Sequence, residues 1–188
     1  MKKKIEGILE ESISVKKGLM ASQIGAIEKA AGAIIKSLKS GGKVVIFGNG
    51  GSAADSQHMA AELVGKFLKE RKGVPAVALT TNTSILTAIA NDYSYDEVFS
   101  RQLDAIAGNN DVAVGISTSG NAKNVIRAVE LANKKGMTTV ALTGRDGGGL
   151  AKIAKISIIV PSGSTPRIQE AHVTVVHILC QLAEEALF

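Results

Sequence analysis

The chain has 188 residues, 45% of them apolar, with 22 basic and 17 acidic side chains and a formal charge of +5, enough for one domain with a sizeable core and unlike a disordered chain. Twenty glycines against three prolines, with no three-residue period, exclude collagen-like and proline-rich architectures and tie the glycines to particular backbone positions. The single cysteine argues against a disulfide-stapled secreted scaffold, and neither a signal-peptide stretch nor the roughly 20 apolar residues of a membrane span is found, so a cytoplasmic chain without membrane partners is expected.

The positive charge is scattered, at Lys2 to Lys4, Lys16 and Lys17, and Lys134 and Lys135. Tryptophan is absent and other aromatics are few, leaving little to stack on bases, so no nucleic-acid partner is expected. The field favours small anions such as sugar phosphates.

In chain order, Ile5, Ile8, Leu9 and Ile13 form a short helical pattern before Gly18, and Ile24, Ile27, Ala31, Ile34, Ile35 and Leu38 form a longer one, predicting two N-terminal helices within residues 1–40. Five short Val/Ile-rich runs follow, Lys43 to Phe47, Ala76 to Thr80, Asp111 to Ile116, Thr138 to Leu142 and Ile156 to Val160, which read as buried strands. Helical stretches separate or follow them at Ala53 to Glu70, Thr83 to Ala107, Asn121 to Lys135, Leu150 to Ala154 and Pro166 to Leu187. This alternation predicts an α/β fold, a doubly wound five-stranded parallel sheet with two extra N-terminal helices, as a single domain over residues 1–188.

The turns entering the strands are ordinary; those leaving them are rich in glycine and hydroxyls. They are Gly48 to Ser52, Thr80 to Thr83, Ser117 to Asn121, Thr143 to Gly148 and Ser162 to Thr165. Ligands of open α/β sheets bind outside the carboxyl ends of the strands, and Gly/Ser turns opening helices present backbone N–H groups to anions. Neither Gly48 to Ser52 nor Ser117 to Asn121 matches a P-loop or a dinucleotide fingerprint, so a phosphorylated small molecule fits better than a nucleotide.

Titratable groups narrow the chemistry. His58 and Glu62 are four residues apart on the helix opened by Gly48 to Ser52 and share one face, a spacing open to a surface pair or to metal ligation. Ser52 and Asp55 have the spacing of an N-terminal capping pair. On the last helix Gln169 and His177 lie about 80° apart and roughly 12 Å along the axis; His172 points elsewhere and reads as structural or surface, and Cys180 reads as a core thiol.

Taken in order, Gly48-Asn49-Gly50-Gly51-Ser52, His58-x-x-x-Glu62, Asn91-Asp92, Ser117-Thr118-Ser119-Gly120-Asn121, Leu142-Thr143-Gly144, and Arg167-Ile168-Gln169-Glu170 with His177 closely resemble the phosphoheptose isomerase family of sugar-isomerase (SIS) domains, over nearly the whole chain. The resemblance implies a flavodoxin-like SIS fold and an aldose–ketose isomerase acting through an enediol, with Glu62 as base and His177 as acid. It implies substrate contacts from Asn49, Gly50, Gly51, Glu62, Asn91, Asp92, Ser117, Thr118, Ser119 and Gln169. It also implies one Zn²⁺ per subunit on His58, Glu62, Gln169 and His177, and a homotetramer whose N-terminal helices pack between subunits and whose interface active sites can take Glu62 and His177 from different chains. Ala122, Lys66 and Thr165-Pro166 depart from residues frequent in the family. Relatives that bind sugar phosphates or protein partners without catalysis, one of them associated with a replication initiator, supply a non-catalytic alternative, and an isomerase of another phosphosugar is a third reading.

Overall fold

The computed structural model describes residues 1–188. In chain order its helices are α1 (Lys2–Lys39), α2 (Gly51–Val64), α3 (Thr83–Asp92), α4 (Ser100–Ile106), α5 (Lys123–Lys134), α6 (Gly148–Ile153) and α7 (Thr165–Leu187). The strands β1 (Val44–Gly48), β2 (Ala76–Ala78), β3 (Val112–Ser117), β4 (Thr138–Gly144) and β5 (Ile156–Val160) form one parallel sheet in the order β2-β1-β3-β4-β5. Alternate strand residues serve opposite faces, which is why the strands read as continuous apolar runs. Val44, Ile46, Val112, Val114, Ile116, Val140 and Leu142 pack with α1, α2 and α7, whereas Val45, Phe47, Ala113 and Ala141 pack with α4, α5 and α6.

The chain leaves β1 toward β2 on one side and returns to β3 on the other. The β1/β3 boundary is therefore the topological switch point, where the loops after the two strands open a crevice.

Four expectations need correction. The N-terminal region is one 38-residue helix rather than two. Gly18, which looked like a break, sits in the helix where an added Cβ would touch Pro161 at 3.0 Å; a close approach uses the missing side chain, and one interior glycine costs only about 1 kcal/mol. From Leu19 to Ile34 the helix is then anchored by burial of Leu19, Ile27, Ala30, Ala31 and Ile34, and Gln23 accepts the Ile159 N–H at 3.0 Å.

The stretch from Thr83 to Ala107 is not one helix: α3 ends at Asp92, a 3₁₀ turn occupies Tyr95–Glu97, and α4 begins at Ser100. Nothing on α3 is buried, whereas Val98, Phe99 and Leu103 are, so the chain breaks to turn those residues inward. Finally, α2 starts on Gly50 at φ +57° with no side-chain cap, so Ser52 and Asp55 do not form a capping box; both face inward and are buried. The same helix stops at Val64 instead of running to Glu70.

Candidate active site

Gly48 ends β1 where an added Cβ would meet the Ile116 carbonyl at 2.8 Å, so the chain must be bare to turn into α2. After β3, Gly120 turns at φ +66° and its carbonyl accepts the Leu150 N–H at 2.8 Å. An added Cβ would overlap the Gly147 carbonyl. The two loops stand beside each other across the switch point.

Between them a side-chain bond crosses the crevice. Asn49 Nδ2 donates to Asn124 Oδ1 and Asn124 Nδ2 donates to Asn49 Oδ1, both at 2.9 Å. The Tyr95 hydroxyl also donates to Asn49 Oδ1, at 3.2 Å.

Helices α2 and α7 lie side by side, each beginning at the rim. Gln169 seats its amide where a Gly51 side chain would be. About two turns further along α2, His58 Nε2 lies 3.0 Å from Glu62 Oε1 and 3.3 Å from His177 Nε2. The two imidazoles meet edge to face with centroids 4.9 Å apart, and one ligand atom from each of His58, Glu62 and His177 falls within 4.8 Å of the others. All three are half-buried.

Within one chain Glu62 and His177 already lie together on the seam between α2 and α7. The Gln169 amide lies beside Gly51 at the start of α2. Asn91 and Asp92 are exposed at the end of α3 and bonded to each other at 2.9 Å, away from the seam. Ser117 is buried and Thr118 and Ser119 are half-buried in the loop after β3, where Ser119 Oγ accepts the Asn121 N–H at 3.2 Å.

The neighbourhood is tuned by burial. Asp55, one turn before His58 on α2, has a buried Oδ2 without a protein partner; burial pushes its carboxyl up to about 6, against the lowering pull of His58. Burial lowers His172 to about 4 while its Nε2–H donates to the Thr143 carbonyl at 3.0 Å, a structural histidine outside the cluster. Cys180 is buried and its thiol is pushed up to about 12, chiefly by desolvation, which makes it inert. Lys66, one of the departures from the family pattern, pairs with Glu70 at 2.6 Å on the surface.

Several contributors carried no sequence signal. The Phe67 ring lies 5.5 Å from that of His177, and the strand-free segment that bears it is held by Glu184 of α7. That carboxylate accepts the N–H groups of Phe67, Leu68 and Lys69 at 2.9, 2.7 and 2.8 Å and Arg71 Nε–H at 2.9 Å. Asn124 and Tyr95 were equally unmarked; each is an ordinary polar residue until the loops are brought together.

The His58–Glu62–His177 group suits a divalent cation by its chemistry. Three lone pairs converge, and the single proton of His58 Nε2 can be directed at only one neighbour, whereas Zn²⁺ accepts nitrogen and carboxylate donors together. A profile of the SIS domain matches residues 9–144. The phosphoheptose isomerase of Aquifex aeolicus is 54% identical over 185 residues, covering 98% of this chain and 97% of that one. The chain belongs to the phosphoheptose isomerase family. The family's protein from Geobacter metallireducens is 59% identical over 158 residues, covering 84% of each chain. A solved phosphoheptose isomerase from Neisseria gonorrhoeae superposes with a TM-score of 0.93 at 43% identity and covers 98% of both chains. No helix is long and apolar enough to cross a membrane.

Proposed function

We infer that this family member is an aldose–ketose isomerase of phosphorylated seven-carbon sugars, converting D-sedoheptulose 7-phosphate to D-glycero-D-manno-heptose 7-phosphate. The observation that carries the chemistry is the convergence of Glu62 and His177 on the α2/α7 seam, beside the two loops of the switch point. The non-catalytic alternative is not favoured, since family and site agree on an enzyme.

In the proposed mechanism, the Ser117–Ser119 loop holds the phosphate through backbone N–H groups and hydroxyls, and Asn49 to Gly51 line the open-chain sugar. The Glu62 carboxylate takes the proton from C1, giving an enediol. His177 serves the oxygens as acid while the proton returns at C2, a division of work suited to a carboxylate and an imidazole near neutral pH. His58, hydrogen-bonded to Glu62 and facing His177, orients both. His58, Glu62 and His177 are the residues that would hold a Zn²⁺ ion, which would supply Lewis acidity toward the sugar oxygens; because the same Glu62 and His177 atoms move the protons, metal ligation and proton transfer would compete for them.

The remaining proposals concern setting. Ile5, Ile8, Leu9 and Ile13 form an exposed apolar row on the first half of α1, which supports a homotetramer with active sites beside subunit interfaces. The product would enter heptose synthesis for lipopolysaccharide or related surface glycans, in the cytoplasm.

The direct test is to incubate the protein with sedoheptulose 7-phosphate in D₂O and follow the aldose and its C2 deuterium by proton NMR. Turnover that disappears in Glu62→Gln and His177→Ala supports the assignment. A wild type that binds the sugar without turning it over refutes it.

A further inference from the structure

We propose that Asn124 is a positioning residue: its reciprocal amide bond with Asn49 ties the loop after β1 to the first turn of α5, immediately after the loop that follows β3, and so sets the distance from the phosphate cradle to the Glu62–His177 pair. The inference rests on the isomerase reading above. Its physical basis is that the backbone ladder joins the two strands only as far as Gly48 and Ile116, and no backbone hydrogen bond links the two loops beyond it. β1 leads into α2 on one face of the sheet and β3 leads into α5 on the other, so the two loops part at the crevice where a ligand must touch both.

Asn124 is 3% exposed, and the orientation of its amide is determined by the backbone. The Val125 N–H donates to Asn124 Oδ1 at 3.0 Å, which places Nδ2 toward Asn49 and in turn orients the Asn49 amide. Both ends of that amide are then engaged, Oδ1 by Asn124 and the Tyr95 hydroxyl and Nδ2 by Asn124. Asn49 therefore meets a ligand mainly through its backbone, and its side chain serves to hold that backbone in place.

A ligand whose phosphate is held after β3 and whose carbons react on the α2/α7 seam spans this bond. Loosening it leaves the phosphate cradle intact but misplaces the reacting carbons, and a misplacement of about 1 Å can cost on the order of 100-fold in rate. A residue that merely stabilised the fold would lower melting temperature and active fraction without separating kcat from phosphate affinity.

The test is a double-mutant cycle of Asn49→Ala and Asn124→Ala, with inorganic phosphate binding measured by titration calorimetry alongside sugar-phosphate kinetics. Each single variant is expected to lower kcat by about 10- to 100-fold, the double variant no further than the worse single one, and the phosphate Kd is expected to stay within about threefold. Additive losses, an unchanged kcat, or phosphate affinity falling in step with kcat overturn the proposal. Should the alanine variants fail to fold, Asn124→Asp keeps the acceptor for Asn49 Nδ2 and the Val125 N–H but replaces the donor with a charged oxygen that repels Asn49 Oδ1. In that variant, amide hydrogen exchange of residues 49–54 is expected to quicken while the sheet is unaffected, and unchanged exchange refutes the tie. That measurement needs no turnover, so an inactive wild type would refute the isomerase reading while exchange still decides the role of Asn124.

Discussion

Replacing Glu184 with alanine tests whether a single buried carboxylate holds the segment that seats Phe67 against His177. The Glu184 and Arg71 side chains are 1% and 2% exposed. Removing the carboxylate leaves three backbone N–H groups without their acceptor and the guanidinium without its counter-charge, although Arg71 keeps the carbonyls of Glu62, Leu63, Gly65 and Lys72 at 2.8 to 3.1 Å. Breaking one side of a buried pair costs about 3–5 kcal/mol, and for a chain of this size each kcal/mol shifts the melting temperature by about 2–4 °C. A fall of roughly 6–20 °C in thermal unfolding at pH 7 is expected, with kcat reduced as Phe67 leaves the His177 ring. The effect should depend on pH. Burial alone would raise the Glu184 carboxyl, but the N–H groups of Phe67, Leu68 and Lys69 and the Arg71 side chain outweigh it and hold the group down to about 2. A carboxyl lowered by folding stabilises the protein above its unfolded value near 4.5 and loses that contribution as pH falls toward 2. The gap between wild type and Glu184→Gln should therefore be constant above about pH 5 and close below it. A loss smaller than about 1 kcal/mol for Glu184→Ala, or a gap that widens on acidification, would refute the reasoning.

Three further outcomes follow from the site. Gly120→Ala should destabilise by about 2 kcal/mol or more and weaken phosphate binding, since φ is +66° and the new Cβ overlaps the Gly147 carbonyl; calorimetric phosphate titration and thermal melts check both. Asp55→Asn should stabilise at pH 7 by about 1–2 kcal/mol, after discounting for solvent screening. Its native carboxyl is raised from 3.8 to about 6, so the wild type loses stability as pH rises through that range and the variant's advantage should vanish near pH 4. Zinc titration of the metal-stripped protein should give one site per chain, weakened by at least about tenfold in His58→Ala; an unchanged affinity would exclude His58 as a ligand.

Much of the fold could be read along the chain because its signals are local. Val44 to Phe47 and Val112 to Ile116 are short apolar runs between glycine-rich turns, and a strand buried on both faces has no other appearance. The rim loops were legible for the same reason, and His58 with Glu62 needed only helical spacing. Errors arose where a distant partner decided the outcome. Gly18 continues a helix because Pro161 packs on it, and α2 ends at Val64 because Glu184, more than a hundred residues away, captures the backbone beyond it.

The order of residues alone therefore determined a parallel sheet with its glycine- and hydroxyl-rich loops at one rim, since turn chemistry and hydrophobic periodicity act over a few residues. Tertiary structure decided that His58 and Glu62 of α2 meet His177 of α7, that the Gln169 amide lies beside Gly51, and that Asn49 and Asn124 join across the crevice. Each depends on how two helices or two loops lie against each other, which sequence spacing within one element does not specify.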